Sequence, residues 1–265
     1  MNLLEKKLKT IASEKRCGLS LFLTAGYPTL NATLDLLFQF SELGVDFFEI
    51  GFPFSDPIAD GPVIQKSSEV ALKNGITWKN LLNLAARFRK SSDVPLVLMS
   101  YANPLFSKTW DLSSTDVSNS GFNGVIIPDL SLEESAAPRK SFQKNELSLI
   151  QLVAPTSPVK RIEKIVKNSD AFIYCVSVTG VTGARAHLPE ESIKGFLAQV
   201  NQVSPLPSYL GFGISEPNQI KFFRKSAHGF IIGSALIKFL EKEGSSMKKN
   251  KLKDFICPFL EEVRA

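Results

Sequence analysis

The run Phe47-Phe48-Glu49-Ile50-Gly51 sets one carboxylate in an otherwise apolar stretch. Side chains of a strand alternate faces, so Glu49 shares a face with Phe47 and Gly51, while Phe48 and Ile50 take the other. An unpaired carboxylate there is costly to bury. Two readings stand: an ion pair with a neighbouring Lys or Arg, or a pocket carboxyl whose raised pKa suits it to general acid–base work. The next residues, Phe52 to Pro62, hold three prolines, Asp56, Asp60 and Gly61. Asp56 and Asp60 read either as caps of a helix that starts near Pro62 or as a second site carboxylate. Two acids in different environments divide roles, one donating a proton and the other staying charged.

Glycine turns form the second group. Gly211-Phe212-Gly213-Ile214-Ser215 and Gly233-Ser234-Ala235 each follow a short apolar run. Bare backbone lets a ligand approach closely, and a helix starting at such a turn offers free N–H groups to an anion. Ser177 to Arg185 carries two glycines and two threonines; it reads as a lid over a phosphate or as a plain surface loop. Phe22, Tyr101, Tyr174 and Phe212 stand at or just after strand candidates and together suit a flat aromatic moiety.

These residues need a scaffold that brings them together. Eight strand candidates are present: Leu19–Thr24, Phe47–Gly51, Leu96–Ser100, Gly124–Ile127, Leu149–Val153, Ala171–Val176, Tyr209–Gly211 and Gly229–Ile232. Helical periodicity between them covers Leu30–Leu43, Trp78–Lys90, Leu132–Asn145, Val159–Asn168, Glu190–Gln202 and Glu216–Lys225. Pro, Gly, Ser and Asn mark the junctions. The alternation predicts an α/β chain folded as a single (β/α)8 (TIM) barrel domain over residues 1–265. An open doubly wound sheet is the alternative, but Thr24-Ala25-Gly26-Tyr27-Pro28 lacks the glycine fingerprint that fold places after its first strand. Leu3, Leu4, Leu8 and Ile11 at helical spacing predict an extra N-terminal helix lying on the barrel. In such barrels the chemistry lies at the C-terminal ends of the strands, with phosphate held after strands seven and eight. The paired glycine turns occupy those places and predict a phosphorylated small-molecule substrate.

The net charge of +5 raises the question of nucleic acid. The basic residues are scattered along helical segments, however, and the run Lys248 to Lys253 has no interleaved aromatics. A solvated face is the better reading, so no nucleic-acid partner is expected. Cys17, Cys175 and Cys257, with His187 and His228, show no metal-binding or redox spacing, and no metal is expected. No apolar run has the length of a membrane span, and the charged N-terminus is not a signal peptide, so a cytoplasmic location is expected.

Taken together, these stretches closely resemble the tryptophan synthase alpha subunit family over nearly the whole chain. The resemblance is carried by Glu49 to Pro62, Tyr101-Ala102-Asn103-Pro104, Pro128-Asp129-Leu130, Thr179 to Arg185 and Gly211 to Ser215. It implies retro-aldol cleavage of indole-3-glycerol phosphate to indole and glyceraldehyde 3-phosphate. By the same resemblance Glu49 is the general acid–base and Asp60 the carboxylate that bonds the indole N–H. Gly183, Gly213, Gly233 and Ser234 match the phosphate site, Thr182 the lid, and Phe22, Tyr174 and Phe212 the indole pocket. The family's alpha chain uses no cofactor. Its beta-subunit partner, in an alpha2-beta2 heterotetramer, carries pyridoxal phosphate. Phe52 and Tyr27 depart from the family's usual residues, an aliphatic and an aspartate. They leave room for a second function class, a catalytically weak regulatory subunit that binds and activates the beta subunit. A third, another phosphate-binding barrel enzyme such as an isomerase, fits the Asp56–Asp60 and Thr179–Arg185 loops poorly.

Overall fold

The computed structural model describes residues 1–106, 109–176, 178–179, 186–187, 189–211, 213–244 and 248–265. The elements in chain order are α1 (Leu3–Ser13), β1 (Gly18–Thr24), α2 (Leu30–Leu43), β2 (Phe47–Gly51), α3 (Pro62–Lys73), α4 (Trp78–Arg89), β3 (Leu96–Met99), α5 (Ala102–Phe106), α6 (Trp110–Asn119) and β4 (Gly124–Ile126). They continue as α7 (Ala136–Lys144), β5 (Ser148–Val153), α8 (Val159–Lys167), β6 (Ile173–Val176), β7 (Val178–Thr179), β8 (Ala186–His187), α9 (Glu190–Val203), β9 (Ser208–Gly211), α10 (Pro217–Phe223), β10 (Gly229–Ile232), α11 (Ser234–Glu243) and α12 (Lys249–Arg264). Eight parallel strands close in the order β1-β10-β9-β6-β5-β4-β3-β2, a (β/α)8 barrel. The short antiparallel pair β7–β8 lies outside it.

Alternation along each strand separates two apolar layers. Leu19, Leu21 and Leu23 of β1, with Phe48 and Ile50 of β2, belong to the cluster shared with the helices. Phe22, Phe47, Val97, Met99, Ile126, Ile150, Tyr174, Tyr209 and Ile231 fill the interior. Leu4 and Leu8 of α1 join that interior cluster, so the first helix plugs one end of the barrel. The Asn2 side chain fixes the plug. Its Oδ1 accepts the Glu5 N–H at 3.1 Å, capping α1, while its Nδ2 donates to the carbonyls of Asn123 and Glu146, each at 2.9 Å.

Other helices are set by local signals. Thr29 caps α2, which ends at Gly44 in the left-handed region (φ 94°), and Thr77 and Asn80 form a capping box on α4. The expected helix over 132–145 begins later, at Ala136, because residues 131–135 form turns with bonds such as Glu134 N–H to the Ser131 carbonyl at 3.2 Å. Residues 110–119, too polar to show an apolar stripe, nonetheless form α6, capped by Thr109. The three cysteines are free. No helix among the described residues is long and apolar enough to cross a membrane.

Candidate active site

Glu49 stands mid-strand in β2, beside Phe22 of β1 and Val97 of β3 in the register. Both neighbours face the barrel interior, and so does Glu49. It is fully buried, and neither carboxyl oxygen has a hydrogen-bond partner among the described residues. The ion-pair reading is thereby excluded within the described residues. Burial alone pushes its pKa up to about 8, so the carboxyl is mostly protonated at neutral pH.

A cavity of about 190 Å³ opens above it at the C-terminal ends of the strands. Phe22, Met99, Tyr174 and Ile231 line its barrel side, Asp60 to Ile64 one wall, and Gly213, Gly233, Ser234 and Lys238 the far end. A smaller adjoining recess is lined by Tyr101, Phe52, Pro128 and again Asp60. Tyr174 is buried beside both acids; burial first, then the charges of Glu49 and Asp60, hold its hydroxyl well above the usual tyrosine range. Glu49 lies beneath the cavity surface rather than on it.

Asp60 stands one residue before the N-cap of α3. That cap is Gly61, with no side-chain cap bond, and Pro62 begins the helix. Asp60 is therefore not the cap. It accepts a hydrogen bond from the Tyr101 hydroxyl at 3.2 Å. Asp56, further out, accepts from the Ser55 hydroxyl at 2.5 Å and is exposed.

The two glycine turns differ in build. Gly233 is the N-cap of α11, so the first turn of that helix points its N–H groups at the cavity end. The turn at Gly213 does not run straight into a helix, since α10 starts only at Pro217. Gly213 instead holds a left-handed φ of 116°, with its carbonyl accepting from Gln219 Nε2 at 3.2 Å. Thr182, Gly183 and Phe212 lie outside the described residues. Lys238, which also lines the cavity, carries no signal in the sequence alone. It stands four residues after Ser234, hence one turn along the same helix face, and has no salt-bridge partner among the described residues. No group of three or more His, Cys, Asp or Glu side chains suited to a metal occurs among the described residues.

Phe52 packs edge-on against Trp78, with ring centroids 5.2 Å apart, and Tyr27 is buried. Both departures from the family pattern are thus absorbed into packing.

The family model described as "Tryptophan synthase alpha chain" matches residues 8–262. A curated tryptophan synthase alpha chain of Thermoanaerobacter pseudethanolicus is 39% identical over 264 residues, covering 99% of this chain and 100% of the relative. That of Carboxydothermus hydrogenoformans is 40% identical over 264 residues, 98% of each. Among solved structures, a tryptophan synthase subunit alpha from Legionella pneumophila superposes with a TM-score of 0.91 at 30% identity, covering 99% of this chain and 98% of that one. A structure from Pyrococcus furiosus, reported on mutual activation of the tryptophan synthase a2b2 complex, gives 0.85 at 29% identity, covering 93% and 98%.

Proposed function

The chain belongs to the tryptophan synthase alpha chain family, and from that premise we propose that its pocket cleaves indole-3-glycerol phosphate to indole and glyceraldehyde 3-phosphate. One observation carries the assignment. A fully buried carboxyl with no partner among the described residues lies under a cavity whose far end holds the N-terminus of α11 and a lysine. The phosphate would sit at Gly213, Gly233 and Ser234, where helix N–H groups and the Lys238 ammonium complement its charge. The indole would lie between Phe22, Tyr174 and Tyr101, with its N–H toward Asp60. Gly183 and Phe212 extend these two subsites, and Thr182 the lid, by family resemblance alone.

The protonation state of Glu49 sets the order of steps. As the neutral acid it donates its proton to indole C3, leaving the ring cationic, and the charged Asp60 stabilises that cation through the N–H. The Glu49 carboxylate just formed then takes the proton of the side-chain hydroxyl. As that O–H electron pair becomes the aldehyde C=O, the bond from C3 to the side chain breaks and its electrons return to the ring. Indole leaves, and Glu49 is again protonated. For these transfers the Glu49 side chain must turn up from beneath the cavity floor when substrate binds. The sequence uses only this chain's carboxyls; pyridoxal phosphate is assigned to the beta subunit of an alpha2-beta2 assembly. A phosphorylated metabolite as substrate supports a cytoplasmic location for the enzyme.

The test is indole release by the purified chain, alone and with a beta subunit, for wild type and Glu49→Gln. A positioned general acid–base contributes about 10²–10⁴-fold. The amide should abolish turnover and spare glycerol 3-phosphate binding; a loss below about tenfold would remove Glu49 from the role. A wild-type chain that is inactive with and without its partner would favour the regulatory-subunit reading.

A further inference from the structure

Tyr101 contacts the loop after β2 in a way that its place in an indole-pocket wall does not require. Its hydroxyl accepts the Ala59 N–H at 2.9 Å and donates to Asp60 Oδ2 at 3.2 Å. One phenol oxygen thus grips two consecutive residues of the loop. The ring that carries it is firmly held. It is only 5% exposed, and Phe54 stacks on it with centroids 5.3 Å apart and planes 30° apart. Its backbone is anchored as well: the Ser100 hydroxyl donates to the Tyr101 carbonyl at 3.1 Å, and the Ala102 N–H donates to Asp129 Oδ1 at 2.9 Å. Tyr101 follows β3, so a rigid post on one strand end ties down a loop that leaves another.

The loop needs such a tie. Its two prolines, Pro53 and Pro57, bar donation to a ladder, Ile58 is exposed, and Asp60 ends one residue short of the helix that would otherwise orient it. We propose that Tyr101 is a positioning residue: its hydroxyl sets the Asp60 carboxylate at the orientation from which it stabilises charge on the substrate ring. This rests on the assignment of Asp60 to the indole N–H. Burial, and then the neighbouring charge of Asp60, hold the phenol above its ordinary pKa, so it stays a donor at working pH. A hydrogen bond to a charged partner is stronger and more directional than a neutral one, which suits a device that fixes angle rather than adds affinity.

Tyr101→Phe removes the hydroxyl and keeps the ring and its stack on Phe54. It is compared with Asp60→Asn and with the double variant in steady-state cleavage of indole-3-glycerol phosphate, with glycerol 3-phosphate affinity measured alongside. The expected result has three parts. Tyr101→Phe lowers kcat about tenfold with a smaller change in KM. Glycerol 3-phosphate affinity stays within about twofold of wild type. In the Asp60→Asn background the Tyr101→Phe change has no further effect, because residues that act as a unit are not additive. Wild-type kcat in Tyr101→Phe, an equal further loss in the Asp60→Asn background, or a parallel loss of glycerol 3-phosphate affinity overturns the proposal. An impaired Asp60→Asn with a silent Tyr101→Phe removes this role alone, whereas a wild-type chain that releases no indole with or without a beta subunit removes the lyase assignment beneath it.

Discussion

Glu49 ties the protein's pH behaviour to a single side chain. Its pKa in the folded chain, raised by burial to about 8, lies above the unfolded value of 4.5. The folded state therefore keeps a proton that the unfolded state has lost, and the stability this group contributes is complete below pH 4.5 and lost as pH rises through 8. Each pKa unit corresponds to about 1.4 kcal/mol, so the effect amounts to about a few kcal/mol. Glu49→Gln, neutral at every pH, should escape it. The Tm of the variant minus that of wild type should widen between pH 5 and pH 8, and a constant difference would show that Glu49 is not held neutral. Because kcat/KM reports the free enzyme, it should fall as pH rises through about 8, the acid being needed first; a rise over that range would reverse the order of proton transfers. Glycine 51 is a second residue-scale lever. A Cβ there would stand 2.5 Å from Phe22 Cζ, pushing the ring into the cavity. Gly51→Ala should raise KM for indole-3-glycerol phosphate about tenfold, by analogy with other overpacked sites, and leave glycerol 3-phosphate affinity nearly unchanged. Glu49 and Asp60 were legible in the sequence because a carboxylate in an apolar strand, or in a proline-rich loop, has few structural uses. Lys238 was not, because a lysine four residues past a serine is informative only once the helix face is known to point at a cavity.

At the scale of elements, the strands were readable because each is a short apolar run bounded by turn residues. The β1, β2 and β10 runs match the expected stretches to within a residue. Helices were readable where an apolar stripe exists, as in α2 and α4. They were not where polar side chains hold the element. In α6, Ser114 contacts Ser141 of α7 at 3.1 Å and accepts from Asn145 Nδ2 at 2.8 Å, a tertiary network that no periodicity announces. The N-terminal plug shows the same dependence on one polar group. Asn2→Ala removes the cap of α1 and its bonds to the ends of β4 and β5. A lost cap costs about 0.5–2 kcal/mol, and buried partners left unpaired add to it. At about 2–4 °C per kcal/mol for a chain of this size, Tm should fall by several degrees while kcat stays at wild type, since the plug and the cavity lie at opposite ends of the strands. A drop in kcat at unchanged Tm would contradict that separation.

For the whole molecule, the arrangement of the loop after β2 bears on how a partner would be felt. The same short segment carries Asp60 against the cavity and, two residues earlier, Ile58 outward with 62% of its surface exposed. An exposed large apolar side chain on a loop that also positions a site carboxylate is suited to contact with a second protein. The solved Pyrococcus furiosus relative was reported for mutual activation in an a2b2 complex. If a beta subunit covers Ile58 here, it restricts the loop and with it Asp60, so binding and chemistry become coupled through the Ala59–Asp60–Tyr101 contacts. Adding a beta subunit should then raise lyase activity at least tenfold, which corresponds to about 1.4 kcal/mol of coupling. Ile58→Ser should reduce that activation while leaving the activity of the isolated chain unchanged, because the side chain faces away from the cavity. Measuring indole release against beta-subunit concentration separates the two effects, since weaker binding shifts the midpoint and weaker coupling lowers the plateau. A plateau equal to the activity of the isolated chain, with the complex confirmed by sedimentation, would show that the partner binds without acting on the site.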